Sequence, residues 1–166
     1  MRNFVPVILL ATLATFASCS DQASTPADSG TPAACTTLAN TAPAIEVTTG
    51  GATVPTGTGG TVAAGIYYLT SVVRTPSSIL PQMRFHQTLR ISGNTIETVA
   101  QDNDQPAYTG VSTFTTSGSS IVFTSVCSTK TDSGGDLQYD SYTADASHFI
   151  LYGVTIGITV AYTRQG

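Results

Sequence analysis

Few side chains in this chain are equipped for chemistry: two histidines, His86 and His148, three cysteines, Cys19, Cys35 and Cys127, and aspartates gathered in two short stretches. A histidine can pass a proton near neutrality, but neither has the company that work requires. His86 alternates with Arg84, Thr88 and Arg90 in a mildly basic stripe, which could touch an anionic lipid or sugar phosphate or simply face water. His148 follows a serine with no cysteine or carboxylate motif beside it, and no Gly-x-Ser-x-Gly elbow presents a serine nucleophile. Asp102-Asn103-Asp104 and Asp132-Ser133-Gly134-Gly135-Asp136 offer the oxygen ligands calcium takes. Both lack the glycine and closing glutamate of an EF-hand, and aspartates that cap turns account for them. No Cys or His spacing points to zinc, and no glycine-rich loop joins a strand to a helix around a phosphate. The expectation is a protein that is not an enzyme, with no cofactor and no metal.

The third cysteine belongs to a different chemistry. Arg2 gives a positive start, residues 4–16 form an almost unbroken apolar run, and Phe16-Ala17-Ser18-Cys19 supplies small residues before a cysteine. This resembles the bacterial lipobox, with Phe16 where that family usually carries Leu. The resemblance implies cleavage before Cys19, whose sulfur then carries a diacylglycerol, and an address in the bacterial envelope, lipid-anchored. Ser20 after the cysteine is similar to outer-membrane sorting signals in some bacteria. An ordinary secretory signal is the competing reading, and the run is shorter than the roughly 18 apolar residues a transmembrane span needs.

With Cys19 assigned to lipid, Cys35 and Cys127 remain, either as a disulfide in an oxidising compartment or as two thiols. A net charge of −4 with six Lys plus Arg argues against nucleic acid, which requires a basic footprint. Charged residues make up 10% of the chain, so its polarity comes from hydroxyls, as suits an exported β-protein.

Three segments are expected: a signal peptide over 1–18, the lipidated cysteine with a low-complexity linker over 19–63, and a domain over 64–166. Ser20 to Pro32 reads as a disordered tether of small polar residues and prolines. Ile45-Glu46-Val47 reads as a short strand laid on the domain. From Ala64 onward, runs rich in Val, Ile, Thr, Tyr and Phe alternate with turn signals. Eight such runs cover roughly residues 65–74, 84–92, 95–101, 107–116, 120–128, 137–144, 148–152 and 155–164. Short links such as Ser92-Gly93-Asn94 and Ser117-Gly118-Ser119 have hairpin chemistry. The predicted fold is all-β: an eight-stranded antiparallel up-and-down meander whose first and last strands join to remove both edges. Alternation places Tyr67, Leu69, Ser71 and Val73 inward, then Phe85, Gln87, Leu89 and Ile91, and in the last run Ile156, Ile158, Val160 and Tyr162, with a one-residue slip open there.

Gly65-Ile66-Tyr67 opens the first run where lipocalins carry Gly-x-Trp, and Arg164 closes the last where they carry a basic residue. The chain from about Gly65 to Arg164 thus resembles the lipocalins and the lipocalin-like domains of small bacterial lipoproteins. That resemblance implies a closed barrel sealed by Gly65, Tyr67 and Arg164.

An eight-stranded barrel either fills with side chains or encloses one small ligand. Tyr67, Leu69, Phe85, Leu89, Tyr108, Phe114, Phe123 and Tyr142 are the candidate lining of such a cavity, and small Gly110, Ser71 and Ser125 leave it room. The leading expectation is non-catalytic binding of a small apolar or amphipathic ligand at the envelope, with the membrane as partner through the lipid. The alternative is a structural or protein-interaction module, an inhibitor or adhesive element, with a packed interior. Replacing Cys19 by Ala is expected to release the protein from the membrane fraction of an expressing bacterium; a variant that still sediments with membranes contradicts the lipid assignment.

Overall fold

The computed structural model describes residues 34–130 and 138–166. The expected signal peptide, Cys19, the tether to Pro32 and the stretch Asp132 to Asp136 lie outside the described residues. Ten strands are present: β1 Ile45–Thr49, β2 Gly59–Gly60, β3 Gly65–Arg74, β4 Arg84–Ser92, β5 Thr95–Asp102, β6 Tyr108–Ser117, β7 Ser120–Ser128, β8 Ser141–Ala144, β9 His148–Gly153 and β10 Ile158–Arg164. They form one sheet in the order β2-β8-β9-β10-β3-β1-β4-β5-β6-β7, with β3 also pairing directly to β4. The chain is all-β among the described residues.

Local chemistry builds the meander. Gly93 and Gly118 adopt φ of 58° and 59°, the left-handed conformation a two-residue hairpin turn demands, and they close Ser92 onto Thr95 and Ser117 onto Ser120. Closure then comes from β3 and β10, which run antiparallel from Arg74 opposite Ile158 to Tyr67 opposite Arg164. The remaining seam, between β7 and β8, is bridged where the Tyr142 N–H donates to the Ser119 carbonyl at 2.9 Å. The result is a nearly closed barrel.

The sheet has ten mixed strands, where an eight-stranded antiparallel meander was expected, and an irregularity in β3 explains the difference. Opposite β10, Leu69 pairs with Tyr162 and Ser71 with Ala161, so Thr70 is an extra residue, a β-bulge. Its hydroxyl bonds the Ala161 carbonyl at 3.1 Å. The bulge switches the faces of β3: Val72 is buried in the core, and Ser71 and Val73, expected inside, are only half-buried. A bulged strand also bends. β3 pairs with β4 only from Gly65 to Tyr68, and beyond that the two diverge. The backbone groups exposed by the divergence need partners, and β1 supplies them, parallel to β3 through Val47 to Thr49 and antiparallel to β4 through Ile45 and Glu46. Val47 is completely buried there. On the far side, β2 runs parallel to β8 and covers its outer edge, as Gly59 meets Thr143 and Gly60 meets Ala144. Residues 34–63, read from sequence as part of the linker, therefore supply two strands. Two expected runs are shorter in the structure: the last begins at Ile158 after a turn, and the sixth is strand only from Ser141.

Ahead of β1, a polar strap crosses the outer face of the sheet. The Cys35 N–H bonds the Thr109 hydroxyl on β6, Thr36 bonds Glu97 on β5, and the Asn40 amide bonds the His86 carbonyl on β4. Thr88 is the strap's buried anchor at 0% exposure: its hydroxyl accepts from the N–H groups of Thr41 and Ala42 and donates to Asn40 Oδ1. Each buried polar atom is thereby satisfied, which keeps its burial from costing stability. At its start, the strap is tied to β7 by a Cys35–Cys127 disulfide, with Cα atoms 5.8 Å apart and a sequence separation of 92.

Closing a loop of that length is worth about 4–5 kcal/mol in the chain-entropy account, and measured values are often smaller. Reduction, or the paired change Cys35→Ser and Cys127→Ser, is expected to lower the thermal midpoint by about 10 °C. The double variant should no longer respond to reductant; calorimetry with and without a thiol checks both.

Candidate functional site

The barrel interior divides into two halves of different character. At the end carrying the hairpin turns, rings gather around Phe149, which is 0% exposed. Tyr67 and Tyr142 meet it edge-on with centroids 6.5 and 6.4 Å away, and Tyr162 stacks on it at 6.1 Å. Leu69, Ile91, Ile96, Phe114 and Ile121 complete this packed end. Gly65 lies under Arg164: a Cβ there would approach Arg164 Nε to 2.5 Å, so only glycine lets the side chain lie down. Arg164 is the cross-strand partner of Tyr67, whose hydroxyl donates to the Ala63 carbonyl at 2.8 Å. Gly65, Tyr67 and Arg164 thus meet at one place.

Toward the opposite end, the inward positions of β5, β6 and β7 carry Thr98, Gly110, Ser112 and Ser125, too small to reach across. A cavity of about 720 Å³ results, within the range of small-molecule sites. Its deeper wall is Leu89, Ile96, Phe123, Phe149 and Leu151, and Leu80 and Met83 from the β3–β4 loop form part of its lip. Polar groups line the middle of the wall, through Gln87, Thr98, Ser112 and Ser125, and gather at the rim. The Tyr162 hydroxyl donates to Gln87 Oε1 at 3.0 Å. At the rim, Lys130 Nζ stands 3.5 Å from Asp102 Oδ2 and 4.8 Å from the centroid of the Tyr108 ring, while the Tyr108 hydroxyl donates to Asp102 Oδ1 at 3.3 Å. Their side chains keep 32% exposure for Lys130 and 20% for Asp102, so the pair can meet a ligand head group without being stripped of water. An apolar chamber with a polar, charge-balanced rim suits an amphipathic molecule lying with its apolar part inward.

Of the residues expected to line a cavity, Phe85, Leu89, Tyr108 and Phe123 do so. Tyr67 and Tyr142 pack edge-on against Phe149, Phe114 lies against Phe123, and with Leu69 they belong to the buried core and not to the cavity wall. Gly110 and Ser125 give room as expected, whereas Ser71 does not, because the bulge turns it away. Lys130, Leu80 and Met83 lie in loops without periodicity, where the one available signal was that Lys130 is the single lysine of the chain. Tyr139 falls in the expected run 137–144 but precedes the strand, which begins at Ser141.

The other candidate chemistries have structural explanations. Ser147 Oγ and both Asp145 oxygens approach the same His148 nitrogen, Nδ1, at 3.0 to 3.2 Å, whereas a proton relay needs serine and carboxylate on opposite nitrogens. Asp145 instead caps a turn, and the backbone N–H groups of Ser147 and His148 hold its carboxyl down to about 2. The basic stripe is neutralised: Arg84 pairs with Asp104 at 2.9 Å and Arg90 with Glu97, while Thr88 is buried under the strap. Hydrogen bonds from Arg90 and then Thr36 hold the Glu97 carboxyl below its usual range. Asn103, at φ 51°, accepts from the Arg84 N–H and ends the Asp102-Asn103-Asp104 turn. Among the described residues, no group of three or more His, Cys, Asp or Glu is placed to hold a metal ion. The chain matches no protein-family model, no curated protein and no solved structure.

Burial raises the phenols of Tyr139 and Tyr162 at the cavity, and that of Tyr67 in the packed end, above the ordinary value of 10.0; at Tyr67 the Arg164 charge offsets part of the effect. A raised phenol keeps its proton longer in the folded state, so the stability is intact below about pH 10 and is lost as pH rises beyond it. Urea unfolding across pH 8 to about 11.5 should show a fall above pH 10 that Tyr162→Phe makes shallower. An unchanged slope would contradict the burial of that hydroxyl.

Proposed function

We propose that this chain is an exported lipoprotein, anchored in the bacterial envelope through Cys19, whose lipocalin-like barrel binds one small amphipathic molecule without catalysing a reaction. The observation that carries this reading is the cavity of about 720 Å³, apolar at depth and polar at its rim. The Cys35–Cys127 disulfide supports export, since such bonds persist in oxidising compartments. Ser20 supports an outer-membrane address. The occupant favoured by the lining is a molecule with a single flexible apolar chain, packed against Phe123 and Leu89, with a polar head near Lys130, Asp102 and Tyr108.

A fatty acid bearing an environment-sensitive fluorophore is expected to bind the purified protein with a blue-shifted emission, and unlabelled fatty acid should displace it. Thr98→Leu with Ser125→Phe fills the chamber from its small-residue wall. That variant should weaken the probe by about tenfold or more, equivalent to about 1.4 kcal/mol, while unfolding no earlier than the parent. Equal affinity in the filled variant would place the probe elsewhere and contradict the reading. No binding to the parent by this probe or by other single-chain amphiphiles would leave the interaction-module alternative in its place.

A further inference from the structure

The cavity lip carries an apolar surface of its own. Ile79 in the β3–β4 loop is 87% exposed, and Val154 in the β9–β10 turn is 54% exposed. They flank one groove, with Val54 and Ile156 partly buried between them. The two segments are stapled together: the Ser78 hydroxyl donates to the Ile156 carbonyl at 2.7 Å, and the Thr75 N–H donates to the Gly157 carbonyl at 2.8 Å. The same segments reach the chamber, because Leu80 follows Ile79 and lines it, and Asp140, also in the lining, accepts from the Val154 N–H at 2.6 Å. Residues 50–58, 75–83 and 153–160 contain no Asp, Glu, Lys, Arg or His. The charges closest to them are one of each sign, Arg74 bonded to the Leu80 carbonyl and Asp140 to the Val154 N–H. The Ile79 and Val154 side chains can therefore enter an apolar phase while those two groups stay at its surface.

Where the chain leads away from the barrel indicates what covers this lip. The disulfide joins Cys35 to Cys127 near the end of β7, and the Cys35 N–H bonds Thr109 at the start of β6, so the strap begins at the end of the barrel where the cavity opens. From Cys19 to Cys35 the chain spans at most about 55 Å even if fully drawn out. An anchor at Cys19 therefore keeps the barrel within about 55 Å of the bilayer, with the tether leaving from the open end.

Resting on the lipoprotein and cavity reading above, we propose that the open end docks on the lipid bilayer through Ile79 and Val154, and that the cavity takes its occupant from the membrane. Shallow insertion of two apolar side chains beside one cation and one anion, Arg74 and Asp140, depends on buried apolar area more than on anionic lipid.

The chain contains no tryptophan, so a single introduced one reports alone. Ile79→Trp, Val154→Trp and, as a control at the other end, Thr115→Trp are placed in the mature lipidated protein and reconstituted into phosphatidylcholine vesicles. The first two should emit to the blue and be quenched by lipid brominated on its acyl chains, equally at low and high salt, while the control is not quenched. Protein that does not float with the vesicles overturns the anchor reading and the docking with it. Protein that floats but shows no quenching at positions 79 and 154 overturns docking alone. A blue shift without lipid quenching assigns the lip to contact with a second copy of the chain, and quenching lost in high salt assigns attachment to charges elsewhere; each also overturns it. In the parent, the fluorescent fatty acid should enter from vesicles as well as from solution. Ile79→Ser with Val154→Ser should slow only the vesicle route, and equal slowing of both routes contradicts loading from the membrane.

Discussion

Strand β3 satisfies three neighbours, and the extra residue Thr70 is what makes that possible. Up to Leu69 the strand lies between β10 and β4; past Thr70 it turns away from β4 while keeping its ladder with β10. A straight, regular β3 would pair with β4 along its whole length and leave no place for β1. The bulge opens a wedge whose unpaired backbone groups β1 fills, and Val47 enters the core as a result. The strap that precedes β1 is positioned by the same event, since it must arrive at the wedge from across the sheet. Its bonds to Thr88, Glu97 and Thr109, and the disulfide to Cys127, follow that course.

The interior responds to the same geometry. Where β3 still lies beside β4, the barrel is narrow enough for Tyr67, Tyr142, Phe149 and Tyr162 to fill it ring against ring. Where β1 is inserted the circumference has one more strand, and barrel width grows with strand number. The wall formed by β5 to β7 carries its smallest inward residues toward that wider end. A packed half and a hollow half are then consequences of one bulge and four small side chains. The buried tyrosine hydroxyls are consistent with this arrangement: Tyr162 finds Gln87 and Tyr67 finds the Ala63 carbonyl, so the rings can be buried without leaving a polar atom unpaired.

Much of this was legible in the residues. Strands 65–74, 84–92 and 120–128 follow directly from alternation between Gly and Ser turn signals, and the pairing of first and last strands follows from the need to remove edges. The inward faces of β4 and β10 are also as alternation places them. The bulge was not legible, because Leu69-Thr70-Ser71-Val72-Val73 contains no glycine or proline to mark it and both Val72 and Val73 suit either face. The strap was read as linker because Thr36, Asn40 and Thr41 stabilise it through side-chain hydrogen bonds to strands that are distant in sequence, and a polar segment of that kind has no hydrophobic period. Four of the eight residues that alternation offered as a cavity lining, Phe85, Leu89, Tyr108 and Phe123, do line it. The rest of the lining required knowing which end Phe149 fills and where the loop bearing Leu80 and Met83 folds.

The central claim is that the hollow half of the barrel is a binding chamber for a flexible apolar chain. Nuclear magnetic resonance with a fatty acid spin-labelled at the far end of its chain tests it most directly, because the broadening falls with the inverse sixth power of distance from the label. The account predicts that broadening is strongest at Leu89, Ile96, Phe123 and Leu151 and declines toward the hairpin turns at Gly93 and Gly118. Broadening confined to the outer surface, with those four signals intact, would contradict it.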